Sequence, residues 1–231
     1  YLTIQSAINA PETLDGHTIL VEAGTYYEQV TVHKSLALFG EEPESTIIDG
    51  GGPELYGWDI RTASDYVNIT GFTLQNAYYG IFIDPYATGS WSIQQGHNIN
   101  NNQITHCTIG ITLFSNESII GNNILSNNHN GIYLSHSNRN TVSRNTITLN
   151  EYWGIELSES CFENLIAENT ISQNYHGIGV FNSKDNRIYH NNFIENTGWV
   201  QAYTINSIDA WNDSYPSGGN YWSDYEERYP D

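Results

Sequence analysis

Five glutamates, Glu151, Glu156, Glu159, Glu163 and Glu168, fall within one short stretch of this 231-residue chain. Carboxylates that close together have two uses. A suitably spaced pair can cleave a glycosidic bond as acid and base or nucleophile, and several can hold calcium through hard oxygen ligands. Solvated surface charge is the plain alternative. Nearby run aromatic pairs, Tyr78-Tyr79, Tyr152-Trp153 and Tyr175-His176, with His129, Tyr133 and Phe181 close to the same places. Flat rings combined with amide and carboxylate groups suit a sugar chain, which offers apolar C–H faces and polar hydroxyls. Rings can equally cover a corner of a fold for stability. Basic residues are few, seven Lys and Arg in all, and the chain has no adjacent Asp pair. Arg139, Lys184 and Arg187 flank loop positions and read as solvated surface.

The elements that must position these residues are set by an internal repeat of about 22 residues. Gly-Ile pairs begin at Gly80, Gly110, Gly131, Gly154 and Gly177, each with an apolar residue two places after the Ile. That is a strand with one buried face. A second apolar column runs through Ile104, Ile124, Ile147, Ile171 and Phe193, and a third through Ile99, Ile119, Val142, Ile166 and Ile188. Asn102, Asn122, Asn145, Asn169 and Asn191 precede the second column, and Asn127, Asn150, Asn174 and Asn196 follow it. Strands this short are stable only if coils stack in parallel register, about 4.8 Å apart. Like residues then form ladders, apolar ones inside and asparagines at the corners, where amides bond one another. The Gly of each Gly-Ile pair is expected to adopt a backbone angle closed to other residues.

The sequence therefore predicts an all-β chain: a single-stranded right-handed parallel β-helix of about eight coils. Residues 1–231 form one domain, with an N-terminal helical cap over 1–17, coils over 18–198 and an aromatic cap over 199–231. Ile4, Ala7 and Ile8 share one helical face, with Thr3 as N-cap and Pro11 as stop. Loop insertions near 50–58 and 85–95 break the register, the second as a protruding loop. By alternation Glu156 points outward, between Tyr133 and Gly179 of the adjacent coils. His129 and His176 lie two coils apart, about 10 Å, too far to share one metal ion. Cys107 sits in an asparagine column and Cys161 in a loop, which argues against a bridge between them.

The charge of −19 disfavours nucleic acid and an anionic membrane surface as partners, since both are held through Lys and Arg. No apolar run approaches a membrane span. Three N-x-[ST] sequons, at Asn68, Asn116 and Asn212, give weak support to an exported chain. The absence of Met, even at the start, suggests a mature or excised portion of something longer.

The segments Thr3 to Ile8, Thr18 to Tyr26 and Lys34 to Gly40 resemble the N-terminal coils of the pectin-lyase-like superfamily. The Asn-rich coils and the ending Gly218-Gly219-Asn220-Tyr221-Trp222-Ser223-Asp224-Tyr225 resemble NosD-type periplasmic and archaeal surface proteins. The resemblance implies an extracellular, cell-surface or periplasmic protein. Tyr79 to Tyr86 loosely echoes a mannuronan-epimerase motif, with Asp84 in its acidic place and Tyr86 where the catalytic His belongs. NosD relatives imply copper, which the lack of Met and of clustered His does not support; calcium is the one ion the acidic residues invite. The expected function is a polysaccharide-binding or envelope-building surface module. A polysaccharide lyase, hydrolase or epimerase acting on uronic or amino-sugar polymers, using Asp84 and Glu156, and a purely structural stalk are the alternatives. Carbohydrate contacts are expected from Tyr78, Tyr79, His129, Tyr133, Tyr152, Trp153, Tyr175, His176 and Phe181.

Overall fold

The computed structural model describes residues 1–52, 57–198 and 200–228. Three parallel sheets run the length of a solenoid. The first starts with Thr18–Val21 and ends with Ile208–Ala210, and the second runs from Gly24–Tyr26 to Tyr221–Trp222. The third is built, in order, from Val30–Val32, Trp58–Thr62, Tyr79–Ile83, Ile109–Leu113, Asn130–Ser135, Trp153–Ser158, His176–Phe181 and Ala202–Ile205. Each strand pairs in register with its counterpart one coil on: Ile132 lies opposite Ile155, and Ile155 opposite Ile178. The parallel β-helix expected from the repeat is the fold. Helix α1, Ile4–Asn9, closes the base with Ile4, Ala7 and Ile8 buried, and Thr3 caps it in a reciprocal capping box.

Asparagine ladders fix the corners. Asn145 accepts from the N–H and Nδ2 of Asn123, and gives its own N–H and Nδ2 to Oδ1 of Asn169. Its Nδ2 also reaches the Ile120 carbonyl, so each amide ties three coils together. The residue before each ladder position takes left-handed backbone: φ is 53° at Asn101 and Asn122, 58° at Arg144, 59° at Glu168 and 56° at His190. That conformation costs a non-glycine residue about 1–2 kcal/mol, and the ladder bonds offset it.

This pattern corrects one coil of the sequence reading. Asn122 is exposed, and the ladder runs Asn102, Asn123, Asn145, Asn169, Asn191, Asn220. The second ladder likewise uses Asn128 instead of Asn127, and Ile120 and Leu125 are buried where Ile119 and Ile124 were expected. Doubled residues (Ile119-Ile120, Asn122-Asn123, Asn127-Asn128) make both registers legible in sequence. A one-residue slip exchanges the two faces, and only the ladder geometry decides between them.

Two further columns were not anticipated: Ser118, Asn140, Asn164, Asn186 and Asp209, and Ser115, Ser137, Cys161, Ser183 and Ser207. Cys161 is thus a corner residue rather than a loop residue, and both cysteines are free and buried. The glycines of the Gly-Ile pairs do not adopt positive φ. They are needed for close approach: a Cβ on Gly131 would lie 2.4 Å from the Gly154 carbonyl oxygen and 2.8 Å from Ile147 Cγ2.

Residues 200–223 also depart from expectation, because they form a complete last coil. Tyr203 stands opposite Gly179, and Gln201, Ser207, Asp209 and Asn220 extend the corner columns. The aromatic character of this region closes the core from above: Trp222 stacks on Phe193 at 4.5 Å, and Trp211 packs 6.1 Å from Trp222. Of the insertion near 50–58, residues 53–56 lie outside the described residues. The insertion near 85–95 is a loop that returns to the stack through Gln94–Gln95, paired with Ser115–Asn116.

Candidate functional site

Strand alternation leaves one side of the third sheet facing outward. Its central row is Arg61, Phe82, Thr112, Tyr133, Glu156, Gly179 and Tyr203, each residue one coil above the last. Glu156 occupies the expected position between Tyr133 and Gly179.

Above Glu156 the rings gather. Trp153 lies 4.4 Å from His176 and 5.7 Å from Phe181, and Phe181 lies 6.0 Å from Tyr203. A Cβ on Gly179 would meet Phe181 at 2.7 Å and Trp153 at 3.1 Å, so glycine lets both rings lie down over the sheet. At the adjoining corner Tyr152 stacks between His129, at 5.7 Å, and Tyr175, at 6.4 Å. Tyr152 and Tyr175 remain 40% and 45% exposed.

Below Glu156 a second wall comes from the loop of 85–93. Trp91, 44% exposed, makes edge contacts with Tyr86, Phe114 and His136, and Phe114 contacts Tyr133. Sequence reasoning missed Trp91, Phe114, His136 and Tyr203. The first three are single aromatic residues in irregular segments, and Tyr203 lies in the coil that was taken for a cap.

The expected stripe is therefore two patches. Tyr79 stacks on Phe82 at 4.4 Å with Tyr78 at its edge, but Ile109 and Asn130 separate this group from Trp153 along the same row. Asp84 and Glu156 do not form a catalytic pair. Three coil steps set their rows about 14 Å apart, beyond the roughly 5–9.5 Å over which two carboxyls flank one glycosidic bond. Asp84 is moreover committed elsewhere. It is buried, bonded to Arg61 Nη2 at 2.5 Å and Nε at 2.7 Å, and it accepts the Tyr86 N–H at 2.8 Å. Its role is to anchor the protruding loop.

Glu156 is half-buried and accepts from Asn130 Nδ2 at 3.3 Å. Burial raises its carboxyl above the usual range, and burial, with the Glu156 charge adding to it, also raises the Tyr133 hydroxyl. His176 is held below the ordinary histidine value by burial.

Among the described residues no three His, Cys, Asp or Glu side chains gather as a metal-binding set. Burial pushes the Cys161 thiol up to about 11, and raises Cys107 as well, with the neighbouring Asp59 carboxylate adding to it. Neither thiol is poised to become a thiolate ligand.

A family model described as "Periplasmic copper-binding protein (NosD)" matches residues 19–227. No curated protein matches by sequence. Among solved structures the chain is similar to an alginate lyase from Paenibacillus sp. str. FPU-7, at 13% identity and TM-score 0.50, covering 95% of this chain and 94% of that one. It is also similar to the catalytic domain of a GH87 alpha-1,3-glucanase, at 10% identity and TM-score 0.47, covering 88% of this chain and 58% of that one. A pectin methylesterase from Yersinia enterocolitica aligns over 99% of this chain and 97% of its own, at 11% identity and TM-score 0.41. At these identities the likeness concerns the fold. The residues described do not fit copper: there is no methionine thioether, both thiols are buried in ladder columns, and the histidines do not gather with other ligands among the described residues. With the family model spanning nearly all of its coils, the chain belongs to the NosD family.

Proposed function

We propose that this protein binds a polysaccharide outside the cytoplasm, along the outward face of the third sheet between the Trp91 wall and the Trp153–Phe181 wall. One observation carries the reading: the partly exposed rings of Tyr152 and Tyr175 stack at coil spacing along the edge of a rigid face whose outward row holds Tyr133 and Glu156. A pyranose unit advances a glycan by a length close to one coil step, so successive sugars can meet successive rows. The family's description as periplasmic supports the location, and among the described residues no helix is long and apolar enough to cross a membrane. A lyase acting on alginate, as that relative's name states, shares the fold.

Tyr152→Ala and Tyr175→Ala test the reading. Each removes a partly exposed ring, worth about 1 kcal/mol of stacking or more, and so should weaken glycan binding about tenfold. The thermal midpoint should move little. Isothermal titration with a panel of oligosaccharides measures it. Affinities unchanged in both variants would make the rings mere cover and leave a structural stalk as the better reading.

A further inference from the structure

The bound glycan's charge follows from how the chain disposes of its cations. We infer that the glycan held on this face carries free amines rather than carboxylates, an inference that rests on the polysaccharide-binding reading above. A uronate polymer brings a negative charge with each sugar and needs Lys or Arg to receive it. The chain has seven such residues against 26 acids, and the six whose side chains are described each have a partner. Lys34 donates to the carbonyls of Ile8, Ala10 and Thr13. Arg139 pairs with Glu117, Arg144 with Glu168 and Arg187 with Asp213. Lys184 lies over the Phe162 ring. On the third sheet's outward row the base is Arg61, bonded twice to Asp84 and stacked on Trp58.

The middle of the face has the opposite character. Glu156 stands half-buried between Tyr133 and the side-chain-free Gly179, over which the edges of Trp153 and Phe181 lie, with the Asn130 amide on one oxygen. A partly desolvated carboxylate beside aromatic rings is a receptor for an ammonium group. The carboxylate supplies the counter-charge, and its partial burial leaves the ion pair less screened than on open surface. A second carboxylate, Glu151, sits at the corner beside His129. A hexosamine chain with unacetylated amines satisfies these groups. A neutral chain leaves Glu156 uncompensated, and a uronate chain is repelled by it.

The experiment is calorimetric titration, at physiological ionic strength and near-neutral pH, with three probes of equal length. These are a glucosamine tetramer, its N-acetylated counterpart and a galacturonate tetramer. The expected result is binding of the glucosamine tetramer about tenfold tighter than the acetylated one, and no binding of the uronate. Glu156→Gln should abolish the difference, whereas Glu22→Gln, an exposed acid at the base of the stack, should preserve it. A pH series on the unaltered protein gives the same readout without substitution, because the preference should vanish as Glu156 is protonated. Equal binding of the amine and acetylated probes, survival of the preference in Glu156→Gln or at acid pH, or binding of the uronate overturns the amine assignment while leaving polysaccharide binding intact. Failure of all three probes to bind, together with a negative wider panel, overturns both.

Discussion

Asn123→Ala is expected to lose on the order of 4 kcal/mol of stability, whereas Asn122→Gly, one residue away, should lie within about 0.5 kcal/mol of the parent. The two asparagines differ in what their amides do. Asn123 is buried; its Oδ1 receives the N–H and Nδ2 of Asn102, and its Nδ2 supplies the Ile99 carbonyl and Asn145 Oδ1. Alanine leaves the Asn102 N–H without a partner and takes the amide donor from Ile99. Each buried polar group so stranded costs roughly 1–3 kcal/mol, and the space vacated adds to the cost. Asn122 projects its amide toward Asn100 at 3.4 Å on the exposed surface, and its φ of 53° suits glycine. Urea unfolding followed by far-UV circular dichroism measures both. Because coils contact only their neighbours, a broken rung should also uncouple the stack, lowering the slope of the transition as well as its midpoint. Equal effects of the two substitutions would return the ladder to the register first read from sequence.

That comparison shows where sequence suffices. Spacings of Gly-Ile and Asn-x-Ile fix the coil, the parallel pairing and the outward placement of Glu156, because a period-2 strand repeated at one interval admits no other stack. The sequence does not resolve register where residues are doubled, as at Asn122-Asn123. In those places the left-handed residue before the ladder position decides, and backbone angle leaves no compositional mark when Asn, Arg, Glu and His all adopt it. The last coil escaped notice because Gly-Ile gives way to Gln201-Ala202 and an irregular segment delays Asn220. The candidate site was half legible. Residues on strands, such as Trp153, His176 and Phe181, follow the repeat, whereas Trp91 lies on an irregular loop whose base is held by the Arg61–Asp84 pair.

Lowering the pH from about 6.5 to about 4 is expected to cost the protein on the order of 3 kcal/mol through His97 alone, and His97→Asn should remove that loss. His97 stands in the column that Ser118, Asn140 and Asn164 continue, with 1% of its surface exposed. Its Nδ1 accepts the Val67 N–H at 3.3 Å, while Nε2 is buried without a partner. Burial drives its pKa down to about 4. Between that value and the unfolded value near 6.5, the unfolded chain takes up a proton that the folded chain refuses. Stability from this group is therefore complete above about pH 6.5, falls as the pH drops, and stops falling below about 4. Asparagine offers Oδ1 to the same Val67 N–H and does not titrate. The variant's stability should thus decline more gently than the parent's over this interval, with carboxylates elsewhere contributing equally to both. Asp59 acts in the opposite sense. It is fully buried with Oδ1 unpartnered, and burial, then the nearby Asp49 charge, raises its carboxyl well above the usual range. The folded chain keeps a proton there that the unfolded chain releases, so this contribution is present at low pH and is lost as the pH rises past the ordinary carboxylate range. Asp59→Asn should therefore gain stability near neutrality and show no gain at acid pH. Denaturation midpoints at several pH values separate the two: parallel profiles for the parent and His97→Asn would place the acid sensitivity elsewhere. Because the two slopes oppose each other over the same acid range, they partly cancel in the parent, and each single substitution uncovers the slope of the other group.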